Sequence, residues 1–316
     1  MSAPVDPPAA EGGSRAAARK RRRLRVQQAS PWNDPGVIAN HRRRQAMQKV
    51  YKGLAVVCVV AVIVPLGDLL YMFAYRGIEA ISFVRVFHGL NSTTPGIANA
   101  IDGTLILVAF SSLIAIPLGI LSGVYMAEFA RGSRFSEGVR FAADVLAGIP
   151  SIVLGYVGFL ALVVYLGLGY SATAAAIILS IIMFPYIFRT TEIAINKVPQ
   201  GIKEGAIALG STKTTMINRL VLRFAMPGIL TGVLLSLGIS LSETAPLLYT
   251  ASFANYNPTG LVHSPLAYLT GVIWTFYQSP VPAQVQLAYV ATFLLILVVL
   301  CLNVVARLGL RRFARV

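Results

Sequence analysis

Residues 53–75 read GLAVVCVVAVIVPLGDLLYMFAY, a run of 23 in which Asp68 carries the only charge. Wound as an α-helix, such a run crosses the roughly 30 Å hydrocarbon layer of a bilayer, and a helix satisfies its own backbone polar groups there. Five more segments qualify by length and apolarity, namely residues 101–129, 141–166, 172–188, 224–250 and 285–306. Pro65, Pro117, Pro150 and Pro185 inside them predict kinks or helix starts, because neighbouring helices can satisfy the freed carbonyls. Of 316 residues, 56% are hydrophobic and 12% charged, which suits a membrane chain better than a soluble one. The fold class expected is an all-α integral membrane protein with six transmembrane helices.

The net charge of +15 would also suit a nucleic-acid binder, so its placement decides. Twelve Lys and Arg fall in residues 1–52, three in 131–140, five in 197–223 and four in 307–315. Arg76 and Arg85 lie in the opposite loops, and Arg189 ends the fourth span. With six spans both termini share one side, and the basic side is the cytoplasmic one. Residues 1–50 are expected to form a basic, mostly disordered cytoplasmic tail, and 51–316 the six-span membrane domain. The run Arg19-Lys20-Arg21-Arg22-Arg23 reads either as a nucleic-acid patch or as an orienting, lipid-attracting segment; the second reading suffices. No apolar stretch follows it until residue 53, which argues against a cleaved signal peptide.

Cys58 and Cys301 fall inside apolar spans and read as packing residues. His41, His88 and His263 are scattered, so neither a disulfide framework nor a metal site is expected. The external loops, 76–100 and 251–284, carry Gly, Pro and aromatics including Trp274, Phe276 and Tyr277. They can shape an outer mouth, dock a partner or form an interfacial aromatic belt.

The strongest motif lies between the fourth and fifth spans, in a loop of about residues 196–223. Pro199 is placed to open a short helix, Gly210 to close it, and a second helix follows, giving a projecting knob. Glu204, Gly205, Ala206, Gly210, Leu220 and Leu222 resemble the coupling loop of ATP-binding-cassette importer permeases. Gly205 stands where that motif usually has Ala, and Arg223 where many members have Pro. The resemblance implies a type I ABC importer permease fold whose cytoplasmic coupling helix inserts into a separate ATPase. Gly210-Ser211-Thr212-Lys213-Thr214 does not make a phosphate-binding loop, since Lys must follow the second Gly directly. ATP and Mg are therefore expected on a partner, with no cofactor in this chain.

Further fragments, Val124–Phe129, Gly148–Val153, Phe188–Glu192 and Ser242–Leu248, are similar to the A-type permeases of Pst phosphate importers over about residues 50–315. That similarity implies a C-type permease partner, two ATPase copies and an external phosphate-binding protein, in the bacterial plasma membrane. Ala245-Pro246 after Glu243-Thr244 favours the A-type over the C-type. Many members carry an Arg shortly before that pair, where this chain has Ile239-Ser240-Leu241-Ser242.

The intramembrane polar residues suit an oxyanion pathway on their own chemistry. Arg189 offers paired planar donors at any pH, Thr190 and Thr191 add hydroxyls, and Glu192 shares its helical face. Hydrogen phosphate, unlike sulfate, still has a proton to give, so Glu192 or Glu243 can accept it, or Glu192 can hold Arg189. Alternatively, Arg189 and Glu192 merely neutralise each other, and Glu243 with Ser240 and Ser242 serves as polar glue between helices. Asp68, Asp102 and Asp144 lie nearer span ends and receive no special reading. Competing functions are a permease for another oxyanion, such as sulfate or phosphonate, and a self-sufficient secondary transporter.

Overall fold

The computed structural model describes residues 19, 20, 35–92 and 96–313. Most of the basic tail thus lies outside the described residues; Arg19 and Lys20 are exposed and helical. Two compact units are distinguished, one ending at Leu70 and the other starting at Tyr71.

In the first unit, α1 (Pro35–Ala80, continuing into the second unit) begins well before the expected span, with a proline at its first position. Its apolar side chains from Leu54 to Leu70 are exposed, as a bilayer-facing helix requires. Cys58 on α1 and Cys301 on the last helix are both exposed rather than packed, a correction to the sequence reading. An apolar span can offer such residues to lipid at no hydrophobic penalty.

The second unit continues with α2 (Phe83–Phe87), α3 (Ala98–Glu128), α4 (Arg134–Gly148) and α5 (Ser151–Gly158), the last extended by a π-helical turn, Phe159–Tyr165. Then come α6 (Ala172–Asn196), α7 (Gln200–Ala208), α8 (Lys213–Met216), a π-helical stretch Ile217–Val221 leading into α9 (Leu222–Ser242), α10 (Ala245–Thr250), α11 (Leu269–Phe276) and α12 (Pro282–Phe313). Among the described residues, five helices are long and apolar enough to cross a membrane, or six if α4 and α5 count as one broken span.

Two expected spans are broken. The third bends by 99° between α4 and α5. Pro150 disfavours helical backbone at the residue before it, and Ile149 accordingly sits at φ −73°, ψ 130°. The fifth stops at Ser242, Glu243 turns extended at φ −69°, ψ 130°, and Pro246 opens α10. Glu243 therefore caps a helix at a break instead of lying mid-span.

The central helix is α6. Ser171 caps it by accepting from the Ala174 N–H, and it runs two turns past the expected end, so Arg189 and Glu192 are helical. Ala172, Ala174, Ala175, Met183, Ile187 and Phe188 on it are fully buried. Its neighbours approach through glycine: a Cβ at Gly119 or Gly123 of α3 would lie 2.7 Å from Ile187 or Thr191, and one at Gly232 of α9 only 1.7 Å from Thr190. Without an aqueous driving force between spans, such backbone-close packing is what holds membrane helices together. In the segment of residues 251–284, Phe276 is buried edge-on against Phe253, 5.9 Å between centroids, while Trp274 and Tyr277 stay exposed.

Gly123→Leu would force α3 off α6 at backbone, costing about 1–3 kcal/mol as overpacking does. A lowered unfolding temperature is expected, against little change for Gly138→Leu, whose Cβ position is open. Thermal unfolding of the purified protein in detergent checks it.

Candidate functional site

Arg189 and Glu192 occupy one face of α6, and α4 supplies partners for both. Glu192, 3% exposed, accepts from Arg140 Nε at 2.5 Å and from Arg189 Nη1 at 3.1 Å. Arg189 also grips both oxygens of Asp144, through Nε at 3.1 Å and Nη2 at 3.0 Å. The planar guanidinium makes this paired grip possible. Two cations and two anions form a closed, net-neutral cluster. Arg140 had been read as a topology charge and Asp144 given no role. Arg140 and Asp144 stand four apart on an amphipathic helix and Arg189 and Glu192 three apart on α6, each pair on one face; only the fold could bring the two faces together.

Thr190 and Thr191 do not join the cluster. The Thr190 hydroxyl donates to Tyr186 O at 2.7 Å, inside its own helix. Thr191 is fully buried against Gly123, and its Oγ1 has no hydrogen-bond partner among the described residues.

A second polar locus forms where the two broken spans meet. The half-buried Glu243 carboxyl meets the Ser151 hydroxyl at the head of α5, and the Glu243 carbonyl accepts from the Thr270 hydroxyl at 2.9 Å. Close contact between Gly155 and Pro246 holds α5 to α10; a Cβ on the glycine would lie 2.5 Å from the proline Cα. Ser240 and Ser242 part company here. Ser240 is buried 3.5 Å from Ser111 of α3, whereas the exposed Ser242 donates to Gly238 O in its own helix.

The third locus is the knob. Pro199, at φ −57° and ψ 134°, precedes α7, and Gly210 ends it at φ +82°, where a side chain would be strained. The Ser211 N–H returns to Ala206 O at 3.1 Å. Thr212 then caps α8 by accepting from the Thr215 N–H. Gly205 has open space about its Cβ position, so its departure from Ala carries no packing requirement within the chain. The root of the knob is apolar: Met216, Ile217 and Val221 are buried with Ala127, Ile195 and Val198. Ala206 and Leu222 pack at the margin of that cluster, and Leu220 is half-buried. The tip is the reverse, with Ile207 54% and Leu209 91% exposed and Glu204 exposed beside them.

Of the five basic residues counted in this loop, two turn inward. Lys203 is buried and ion-paired with Glu128 at the end of α3, and Lys213 donates to the Glu128 carbonyl at 2.7 Å with its ammonium 4.4 Å from the Phe129 ring centre. Arg219 and Arg223 remain exposed. No group of His, Cys, Asp and Glu among the described residues could hold a metal ion. A cavity of about 620 Å³ bordered by Arg76, Glu79, Gln286 and Tyr289 takes in none of these loci.

Residues 115–315 match the family described as binding-protein-dependent transport system inner membrane component. The chain belongs to this family. It is 41% identical to phosphate transport system permease protein PstA 2 of Mycobacterium bovis over 84% of this chain and 88% of that protein. With phosphate transport system permease protein PstA of Yersinia pestis the figures are 34%, 87% and 95%. Its fold is that of solved ABC importer permeases. A chain of a bacterial alginate ABC transporter, in complex with alginate-bound periplasmic protein, superposes with TM-score 0.63 at 18% identity, over 85% of this chain and 96% of that one. A chain of the inward-facing MetNI methionine ABC transporter gives 0.52 at 20%, over 69% and 94%. The matched region takes in the Arg189 cluster, the Glu243 locus and the knob.

Within the cluster, Glu192→Gln leaves Arg140 without its anion while Arg189 keeps Asp144, and should cost about 2–3 kcal/mol through the buried charged hydrogen bonds lost. Asp144→Asn removes a carboxylate that is 55% exposed and should cost no more than about 1 kcal/mol. Thr191→Val should be neutral or slightly stabilising, because it replaces a buried hydroxyl without a partner. Comparative unfolding of the three variants tests the ranking; equal losses for Glu192→Gln and Asp144→Asn would contradict the burial argument.

Proposed function

We propose that this chain is the membrane permease subunit of an ATP-driven inorganic phosphate importer, forming half of the translocation pathway and coupling to a separate ATPase. One observation carries the coupling part: the tip of α7 presents Ile207 and Leu209 to the outside of a rigid, glycine-closed knob. Exposed large apolar side chains at the end of an ordered helix call for a docking partner. The identity with PstA proteins over most of the chain supports phosphate as the cargo.

In this reading a C-type permease completes the pathway, and an external phosphate-binding protein delivers the ion. Two ATPase copies bind ATP and Mg, while Glu204, Gly205, Ala206, Gly210, Leu220 and Leu222 form the coupling surface of this subunit. Both termini lie on the cytoplasmic side, as the clustering of Lys and Arg supports. The chain itself performs no chemistry. It supplies oriented charge and two conformations whose balance the ATPase shifts.

Arg189 already holds two carboxylates when no anion is present, so a phosphate oxygen competes with them for its donors. Asp144, the far more exposed of its two partners, is the one that yields; Glu192 stays and keeps Arg189 aimed. At the other locus, Glu243 lies where two helices break and can take the proton that hydrogen phosphate still carries. Thr190, Thr191 and Ser240 act through packing, and the exposed Ser242 lines the approach to Glu243.

Reconstituted complexes should take up labelled phosphate with ATP, and excess sulfate should not compete. Arg189→Gln should abolish uptake while the subunits still co-purify; uptake near the wild-type rate would remove Arg189 from the pathway. Gly210→Val should release the ATPase from the purified complex, since a β-branched side chain cannot hold the left-handed turn. ATP-independent transport by the isolated chain would instead favour a secondary transporter.

A further inference from the structure

We infer that Glu128 is a positioning residue for transport, the point at which Lys203 and Lys213 fasten the coupling knob to α3 so that the two move as one body. The inference rests on α7 being the ATPase-docking element. It goes further by naming which span receives the motion and through which contact.

The geometry is unusual for an ordinary loop anchor. Lys203 lies in α7 beside Glu204, and its side chain is only 6% exposed; the Glu128 side chain is 8% exposed. Lys213 comes from α8, on the far side of the Gly210 turn, and donates to the carbonyl of the same residue. Both arms of the knob therefore converge on one position, the last residue of α3. That helix end carries partial negative charge and carbonyls without intrahelical partners, which two ammonium groups complement. Among the described residues, no other ion pair reaches α7 or α8.

A buried ion pair is a poor way to gain stability, because desolvation offsets its attraction, but it fixes one register among several. Register is what a lever needs. The apolar root of the knob, around Met216 and Val221, would by itself allow the knob to slide, since apolar contacts are not directional. The pair at Glu128 removes that freedom. From there α3 bears on α6 through Gly119 and Gly123, the latter against Thr191, next in the chain to Glu192. A displacement at α7 thus arrives at the charge cluster through two rigid contacts.

The test uses the whole complex in liposomes and measures phosphate moved per ATP hydrolysed. The double variant Glu128→Gln with Lys203→Met removes both charges and orphans neither. It should assemble and hydrolyse ATP, yet move roughly ten-fold less phosphate per ATP, a coupling loss of ordinary allosteric size. Exchanging the charges, Glu128→Lys with Lys203→Glu, should recover most of the ratio. A wild-type ratio in the double neutral variant overturns the inference. Should that variant fail to assemble, Glu128→Cys with Lys203→Cys, in a background with Cys58 and Cys301 replaced by Ser, is bridged by a short thiol cross-linker. Transport surviving the bridge is expected; its abolition overturns the inference, because the two residues would then have to part during the cycle. If the unmutated complex moves no phosphate, only the substrate reading falls. The clamp is then read from the dependence of ATP hydrolysis on the external binding protein, expected to be lost in the double neutral variant and regained in the exchange.

Discussion

The close seating of α6 between α3 and α9 governs what the other parts can do. In a bilayer, apolar side chains gain nothing by leaving lipid for another helix, so association depends on backbone proximity and a few polar contacts. Gly119 and Gly123 supply that proximity on one side, and Gly228 and Gly232 on the other, where added Cβ atoms would strike Ile187, Thr191, Ala194 and Thr190. These contacts fix the rotation of α6 about its axis. Rotation in turn decides that Arg189 and Glu192 meet α4, that Thr191 is sealed against α3, and that the buried Ala194 and Ile195 reach the root of the knob. A small turn of α6 would scatter all three arrangements.

The helix breaks follow a different logic. Irregular backbone inside a membrane leaves polar groups that must be satisfied by protein or by water in a cavity. The break at Ile149 and Pro150 and the break at Glu243 and Thr244 lie against each other, with Ser151 near the Glu243 carboxyl and Thr270 donating to the Glu243 carbonyl. One break helps to satisfy the other. An ionisable group in such a place is costly to keep for structure alone. Its presence beside unwound backbone is the reason for treating this locus, with the Arg189 cluster, as part of the pathway.

Much of this organisation was legible before any coordinates. The apolar runs located the five long apolar helices of the described residues and the bent α4–α5 pair, because length and apolarity are imposed by the bilayer and are local in sequence. The helix, turn and second helix from Gln200 to Met216 were readable for the same reason, being one contiguous segment in which Gly210 takes the left-handed turn. Where reading along the chain failed, the deciding contact was between segments. Asp144 looked idle near a span end and proved to hold Arg189 by both oxygens. Lys203 and Lys213 looked like surface charge on a loop and turned inward to Glu128. The bend at Pro150 could be anticipated as a kink, but its 99° size could not, since it depends on α4 finding α6. Glu243 seemed mid-span because the apolar run continues across the break that Pro246 helps to impose.

Neutrality of the Arg140, Asp144, Arg189 and Glu192 cluster bears on how an anion could pass without being trapped. A lone buried arginine would bind a divalent oxyanion tightly and release it slowly, as any unpaired charge in low dielectric does. An arginine already gripped by a carboxylate offers only the difference between two similar interactions. The exchange is made still easier by asymmetry: Asp144 is half in solvent and can relax into water when displaced, whereas Glu192 is held by Arg140 as well and stays in place. Under the proposed function Arg189 therefore keeps its orientation, while its second site would alternate between protein and cargo. Because α6 carries both the cluster and the buried contact with Gly123, a shift of α3 against α6 is the motion that, under the proposed function, would reach Arg189 and its two carboxylates.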